Sequence, residues 1–247
     1  MSKSPSRGLD DLEPLRGPWF NLSHPWGEVG RSSYPHTPFS LEVDKWVSPM
    51  GLNLPISISR FSCGAHVATH VDAPRHFDEA GSTIDTFFEY GVHIECDVVD
   101  LSYCAAAPIT ADVLQRAGVS PPVGGGLIVN FGYSSLYENP VYLDHPHLDA
   151  SAGEWLAERE LVVLGVDTLS PDLPQPRRSP DFDWPVHRSL LSAGCAIVEN
   201  VGGQLDAVTG WRIELLLHPM RIVGADGAPV VPLARRIVRL DSTAQQR

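Results

Sequence analysis

The chain has 247 residues, of which 43% are hydrophobic and 19% charged. This composition is typical of a folded globular protein, and it excludes a fibrous or disordered chain. The formal net charge of −12 argues against nucleic acid as a partner, because phosphate binding requires clustered Lys and Arg side chains.

The N-terminal segment, residues 1–16, is polar and interrupted by Pro. It lacks the apolar run of a signal peptide or a membrane span. We expect a loose arm over residues 1–16 and one domain over residues 17–247, with no membrane contact. The four cysteines are too far apart for a CxxC metal site and fit buried positions in a reducing compartment. A cytoplasmic location is therefore expected.

Short apolar runs predict β-strands along most of the chain. Two helices are predicted among them. Thr110 offers an N-cap to the first, which ends at Gly118, and Asp149 or Ser151 caps the second. Strands outnumber helices, yet helices separate several of them, so a mixed α/β domain is favoured over a repeated βαβ fold. The predicted strands span residues 54–62, 93–101, 126–131, 161–167, 195–200, 211–219 and 235–240.

Four potential metal ligands fall within eleven residues: His66, His70, Asp72 and His76. Imidazole and carboxylate together suit zinc, manganese or iron. On a helix, Asp72 would lie roughly 200° around the axis from His70, and Pro74 disfavours helical geometry just before it. The side chains can converge only if the segment is extended or looped. The spacing predicts a metal site; the alternative is that these histidines are surface or core residues.

Two of these residues have further possible roles. Asp72 is a candidate bridging ligand, because a carboxylate can bind two cations and an imidazole cannot. His76 is either a ligand or a general acid and base, since its ordinary pKa suits proton transfer near neutral pH.

The segment HVATHVDAPRHF, residues 66–77, resembles the HxGTHxDxPxH signature of the metal-dependent cyclase family. That family includes bacterial kynurenine formamidase and isatin hydrolase. Further matches are NLSHP at residues 21–25, LGVDTLSPD at residues 164–172, and His187 followed twelve residues later by Glu199. The resemblance covers roughly residues 19–240.

The resemblance implies a binuclear metal centre whose ligands come from distant parts of the chain. Isatin-hydrolase-like members tend to have Gln at the position of Glu199 and to use one metal. The added negative charge of Glu199 therefore implies two divalent cations per subunit, zinc or manganese, and His76 would be catalytic. The implied ligands are His66, His70 and Asp72 for the first metal, and Asp72, His187 and Glu199 for the second.

The resemblance also implies a swivelling β/β/α domain and assembly into a homodimer or homotetramer. Two positions depart from the family pattern: Ala68 replaces the signature Gly, and Asn21 replaces the usual Asp. The first departure bears on the shape of the turn and not on the ligands.

The expected reaction is hydrolysis of an amide C–N bond in a small aryl formamide or cyclic amide. A divalent metal would ionise the attacking water, and His76 would pass its proton to the leaving nitrogen. The alternatives are a lactone or other C–O hydrolase, a cyclase or dehydratase on the same site, and a non-catalytic metal-binding protein. The chain contains no G-x-S-x-G elbow and no nucleotide-binding glycine motif.

Two other segments have more than one interpretation. His145 and His147 could bind a stray metal, lie on a loop over the site, or belong to a plain surface loop. Asp167 and Ser170 follow a predicted strand, where they either orient a ligand imidazole or cap a turn.

Overall fold

The computed structural model describes residues 18–26, 39–47, 56–104 and 108–240. The predicted arm at residues 1–16 lies outside these residues. No helix in the described ranges is both long and apolar enough to cross a bilayer.

Eleven strands and five α-helices lie in the described part of the chain. The strands are β1 Phe20–Asn21, β2 Ser40–Val47, β3 Ile56–Ser62, β4 His70–Asp72, β5 Val92–Asp100, β6 Gly126–Asn130, β7 Val163–Val166, β8 Ala196–Glu199, β9 Trp211–Leu217, β10 Gly227–Pro229 and β11 Leu233–Arg239. The α-helices are α1 Ile84–Phe87, α2 Ala111–Arg116, α3 Ala150–Ala157, α4 Pro185–Ser192 and α5 Leu205–Val208.

Nine of these strands form one mixed sheet in the order β1-β11-β9-β5-β6-β7-β8-β4-β10, and β2 and β3 form a separate antiparallel pair. The central strands β5 to β8 run parallel. Every residue of β6, β7 and β8 is buried, as expected for parallel strands that are covered on both faces.

Apolar clusters cover the two faces of the sheet. One cluster packs residues of α1 and α5 against the sheet, and the other packs residues of α2, α3 and α4 against it. Continuous apolar strands require this two-sided cover, because neither face can be left to water. The prediction of a single mixed-sheet α/β domain is confirmed.

The predicted elements agree with the structure to within a few residues. All seven predicted strands are present. Thr110 caps α2, and Asp149 caps α3 by accepting the backbone N–H of Ala152 at 3.0 Å. Ser151 instead accepts the backbone N–H of Ala111, at the start of α2. The sequence analysis did not identify the short strands β1, β4 and β10, the strand β2, or the helices α1, α4 and α5.

Candidate metal centre

Strand β4 places two of the predicted ligands on one face of the sheet. It lies between β8 and β10, and His70 is paired directly with Glu199 in the antiparallel β4–β8 ladder. Asp72 lies two residues further along, so its side chain points to the same face as that of His70. The segment is extended, as the spacing required. On its other side, β4 is paired with β10, and Asp72 lies opposite Gly227. A side chain at residue 227 would collide with the ring of His66, because its Cβ would lie 2.6 Å from Cε1 of that ring.

A left-handed turn at Ala68 carries the chain from His66 into β4. Ala68 has a φ of 53°, a conformation that favours glycine, which is the residue of the family signature. Its carbonyl oxygen accepts hydrogen bonds from Nδ1 of His70 at 2.8 Å and Nδ2 of Asn200 at 2.9 Å. Because a carbonyl oxygen can only accept, the hydrogen of the neutral His70 ring is on Nδ1, and Nε2 offers a lone pair to the site.

The two carboxylates lie among the histidines at short range. Asp72 Oδ1 is 2.6 Å from His66 Nδ1 and 3.4 Å from His70 Nε2, and Asp72 Oδ2 is 3.4 Å from His187 Nε2. Glu199 lies 3.2 Å from His70 Nε2 and 3.3 Å from His187 Nε2. The structure thus brings all five predicted ligands into one cluster, and each is at most 4% exposed.

Helix α4 supplies His187, and Asp172 holds it in place. Asp172 Oδ2 is 2.6 Å from His187 Nδ1. The same carboxylate accepts the backbone N–H groups of Val186 and His187 at 3.0 Å each. Asp172 therefore fixes both the ring and the first turn of the helix, leaving Nε2 directed at Asp72 and Glu199.

The sequence analysis left two roles open for Asp167, orienting a ligand imidazole or capping a turn. Asp167 accepts the backbone N–H groups of Phe131 and Tyr133 at 2.7 Å, and that of Ser134 at 3.1 Å. It caps the turn after β6, so the capping interpretation is the correct one. Ser170 accepts the backbone N–H of Asp172 at 3.2 Å and likewise stabilises a turn.

His76 lies at the side of the cluster, at the end of a short 3₁₀ turn, Pro74–His76. Its Nδ1 is 2.9 Å from Oδ2 of Asp226, and the same oxygen is 2.9 Å from Nε2 of His66. The side chain of His76 is 21% exposed, whereas that of His66 is 3% exposed. Sequence reasoning missed Asp226, whose only local signal is the turn-forming pair Asp226–Gly227.

The electrostatics favour ionised carboxylates. Burial raises the pKa of Asp72, but the charges of His66 and His76 outweigh it and hold that pKa well below its ordinary value. Burial acts in the same way on Glu199, but the nearby His187 and His70 rings outweigh it and lower the pKa of Glu199 to about 2. Burial lowers the pKa of His66, yet the carboxylates of Asp72 and Asp226 raise it to about 10. The cluster therefore attracts positive charge.

The donor set fits divalent cations. His70 Nε2 and Asp72 Oδ2 are buried and have no hydrogen-bond partner within the described ranges. Buried polar atoms without a partner are rare in native proteins and often indicate a bound ion. Ligand atoms of two triads lie within 4.8 Å of one another: His66, Asp72 and His76, and His70, Asp72 and Glu199. Asp72 belongs to both, as a bridging ligand would. The first triad contains His76 where the expected ligand set has His70.

The chain is similar to known proteins over most of its length. Residues 20–173 match the model of the Cyclase family, described as "Putative cyclase". A kynurenine formamidase of Bacillus cereus is 29% identical over 220 residues, which cover 89% of this chain and 98% of that protein.

Solved structures share the fold. Isatin hydrolase A from Ralstonia solanacearum superimposes with a TM-score of 0.73 at 24% identity, covering 88% of this chain and 91% of that one. A structure described as a potential metal-dependent hydrolase with cyclase activity gives a TM-score of 0.67 at 22% identity, covering 88% and 96% of the two chains. The fold expected from the signature is thereby confirmed.

Proposed function

The chain belongs to the Cyclase family, and we propose that it is a metal-dependent hydrolase that cleaves the amide C–N bond of a small aryl formamide or cyclic amide. The observation that carries the proposal is the buried cluster in which Asp72 Oδ2 and His70 Nε2 lack hydrogen-bond partners among the described residues. The similarity to kynurenine formamidase over 89% of the chain supports the reaction class.

The proposed cofactor is zinc or manganese, and the shared position of Asp72 favours two cations. When bound, such a cation polarises a carbonyl group and lowers the pKa of a coordinated water to about 7. The proposed ligands are His66, His70, Asp72, His187 and Glu199. Their carboxylates would offset the charge of the cations, and their burial would exclude bulk water.

His76 is the proposed general base and acid. Asp226 accepts a hydrogen bond from Nδ1 of His76, which fixes that ring nitrogen as the protonated one and makes Nε2 the atom that exchanges a proton. His76 would take a proton from the attacking water and give it to the leaving nitrogen. This transfer matters most for an amide, because an amine anion is a poor leaving group. The arrangement therefore favours C–N cleavage over C–O cleavage.

The first experiment tests the reaction and its metal dependence. Hydrolysis of N-formylkynurenine, isatin and a dienelactone is measured with metal, with chelator, and after metal is restored. We expect turnover of an amide substrate that chelator abolishes and zinc or manganese restores. Turnover that persists in chelator would contradict the metal mechanism, and preference for the dienelactone would contradict C–N specificity.

The second experiment separates catalysis from metal binding at His76. The His76→Asn variant should lose roughly two to four orders of magnitude in kcat while its metal content stays near that of the wild type. His93→Asn is the matched control, because His93 is exposed and contacts Glu214 on the protein surface. Metal loss in His76→Asn would show instead that His76 is a ligand.

A further inference from the structure

Two loops meet beside the metal centre. The His145–Pro146–His147 segment follows a 3₁₀ turn, Pro140–Leu143, and the segment around Arg177 and Arg178 precedes α4. Arg177 joins them, because its Nη2 donates to the carbonyl oxygen of His145 at 2.9 Å and its Nε lies 2.9 Å from Oδ1 of Asp144. Arg177 therefore holds the backbone at His145 in place.

The imidazole of His145 is buried with one ring nitrogen unsatisfied. The residue is 1% exposed. Its Nδ1 lies 2.8 Å from the carbonyl oxygen of Pro146, so Nδ1 carries the hydrogen and donates it. Burial lowers the pKa of His145 to about 4, so the ring is neutral and Nε2 is a hydrogen-bond acceptor. Nε2 is buried and has no partner among the described residues.

Arg178 brings a positive charge to the same region. Its Nε donates to the carbonyl oxygen of Leu173 at 2.6 Å, and its guanidinium lies 3.6 Å above the ring of Trp184. Trp184 in turn meets the ring of His187 edge-on, with centroids 5.5 Å apart. Arg178 forms no ion pair within the described ranges, so its charge is available to a ligand.

The charge of Glu199 acts on both side chains. Burial lowers the pKa of Arg178, and the negative charges of Asp172 and Glu199 oppose this by raising that pKa. The charges of Glu199 and Arg178 also act on His145. The contacts from Arg178 to Trp184 and from Trp184 to His187 place the guanidinium near the proposed ligands. The hydroxyl of Tyr142, three residues before His145, donates to Oδ1 of Asn200, the neighbour of Glu199.

We propose that Arg178 and His145 form a substrate-recognition pair, in which Arg178 binds a carboxylate of the substrate and His145 Nε2 accepts a hydrogen bond from its N–H group. This inference rests on the proposed function and refines it. The preferred substrate is an aryl amide that carries a carboxylate group. A guanidinium that stacks on an aromatic ring suits this role because it presents two parallel donors to a carboxylate.

The kinetic test uses two substrates that differ only at the group that Arg178 would bind, 2-formamidobenzoate and its neutral analogue 2-formamidobenzamide. Arg178→Met should lower kcat/KM for the benzoate by roughly 10- to 100-fold, mainly through KM, and for the benzamide by less than about threefold. Arg178→Lys should retain part of the preference. Arg116→Met, which removes an exposed charge from α2, is the matched control. Equal losses on both substrates, or no loss, would overturn the role of Arg178.

A binding test keeps this inference separate from the proposed function. Calorimetry with benzoate, benzamide and 2-aminobenzoate is run on the metal-loaded and the chelator-treated protein. Arg178→Met should weaken the binding of both carboxylates and leave the binding of benzamide unchanged. His145→Phe should weaken only the binding of 2-aminobenzoate, by roughly tenfold. Benzoate affinity that does not depend on Arg178 would overturn the pair. Binding as expected without turnover of either formamide would contradict the proposed function and leave the recognition pair supported.

Discussion

Asp172 contributes to the candidate site without belonging to the proposed ligand set. Its carboxylate contacts Nδ1 of His187 and accepts two backbone N–H groups at the start of α4. A carboxylate on the far nitrogen of a ligand imidazole fixes the orientation of the ring and raises its basicity. The position of His187 therefore depends on a residue fifteen positions earlier in the chain.

Removing the charge of Asp172 should weaken metal binding. We expect Asp172→Asn to lower zinc affinity by roughly 10- to 100-fold, because the neutral amide supports the His187 imidazole less well. Competition with a chelating dye measures this change. Asp181→Asn, at an exposed carboxylate in the segment before α4, is the control. Unchanged affinity in Asp172→Asn would show that the helix alone positions His187.

At the residue scale, the sequence predicts the cluster better than its supporting residues. His66, His70 and Asp72 share one short motif, so their spacing alone reveals them. Asp226 lies 150 residues after His76, whose ring it contacts, and nothing in the local sequence connects the two. Asp172 was within a recognised segment, but the neighbouring Asp167 has the same chemistry. Only the hydrogen bonds distinguish a turn cap from a partner of histidine.

At the scale of secondary-structure elements, the connection between β4 and β8 sets the distance between the proposed ligands of residues 66–72 and Glu199. Asn200 follows β8 with a φ of 56°. Its Nδ2 donates to the carbonyl oxygen of Ala68, and its Oδ1 accepts from the hydroxyl of Tyr142 at 2.9 Å. Thr69 Oγ1 also donates to the Asn200 carbonyl at 2.6 Å. These bonds join the turn before β4 to the end of β8.

Replacing Asn200 should weaken the connection between β4 and β8. We expect Asn200→Ala to lower the free energy of unfolding by about 2 kcal/mol, because buried polar partners lose their bonds and alanine is strained at a positive φ. Urea unfolding followed by fluorescence measures the change. Asn139→Ala, which removes a capping side chain in an exposed turn, should cost less. If Asn200→Ala lowers the free energy of unfolding by no more than Asn139→Ala does, the proposed role of Asn200 in connecting β4 and β8 is contradicted.

The elements that the sequence did not reveal are those held by tertiary contacts. Strands β4 and β10 have three residues each, too few for a periodic pattern. Helix α4 begins after Trp184, which has a left-handed conformation and whose side chain does not cap the helix, although Pro185 at its first position is a known start signal. Strands β6, β7 and β8 were predictable because they bury every residue, and β9 because it buries every second residue over most of its length.

At the scale of the whole molecule, the antiparallel pair of β2 and β3 leaves apolar side chains exposed. Leu41 and Phe61 are directly paired across it and are 56% and 55% exposed. They border a cavity of about 460 Å³, together with Trp26, Met220 and Val231. Contiguous apolar patches on a folded chain mark interaction surfaces. We propose that a second copy of this chain covers the patch in a homodimer.

A charge on this patch should dissociate the assembly. We expect the wild type to have twice the chain mass in light scattering, and Phe61→Asp to have the mass of one chain, because a buried carboxylate without a partner is strongly disfavoured at an apolar interface. Ser62→Asp adds the same charge on the opposite face of β3 and should remain dimeric. A monomeric wild type, or an unaltered mass for Phe61→Asp, would rule out this surface as the interface. If Phe61→Asp dissociates but still hydrolyses the substrate at the rate of the wild type, each chain contains a complete active site.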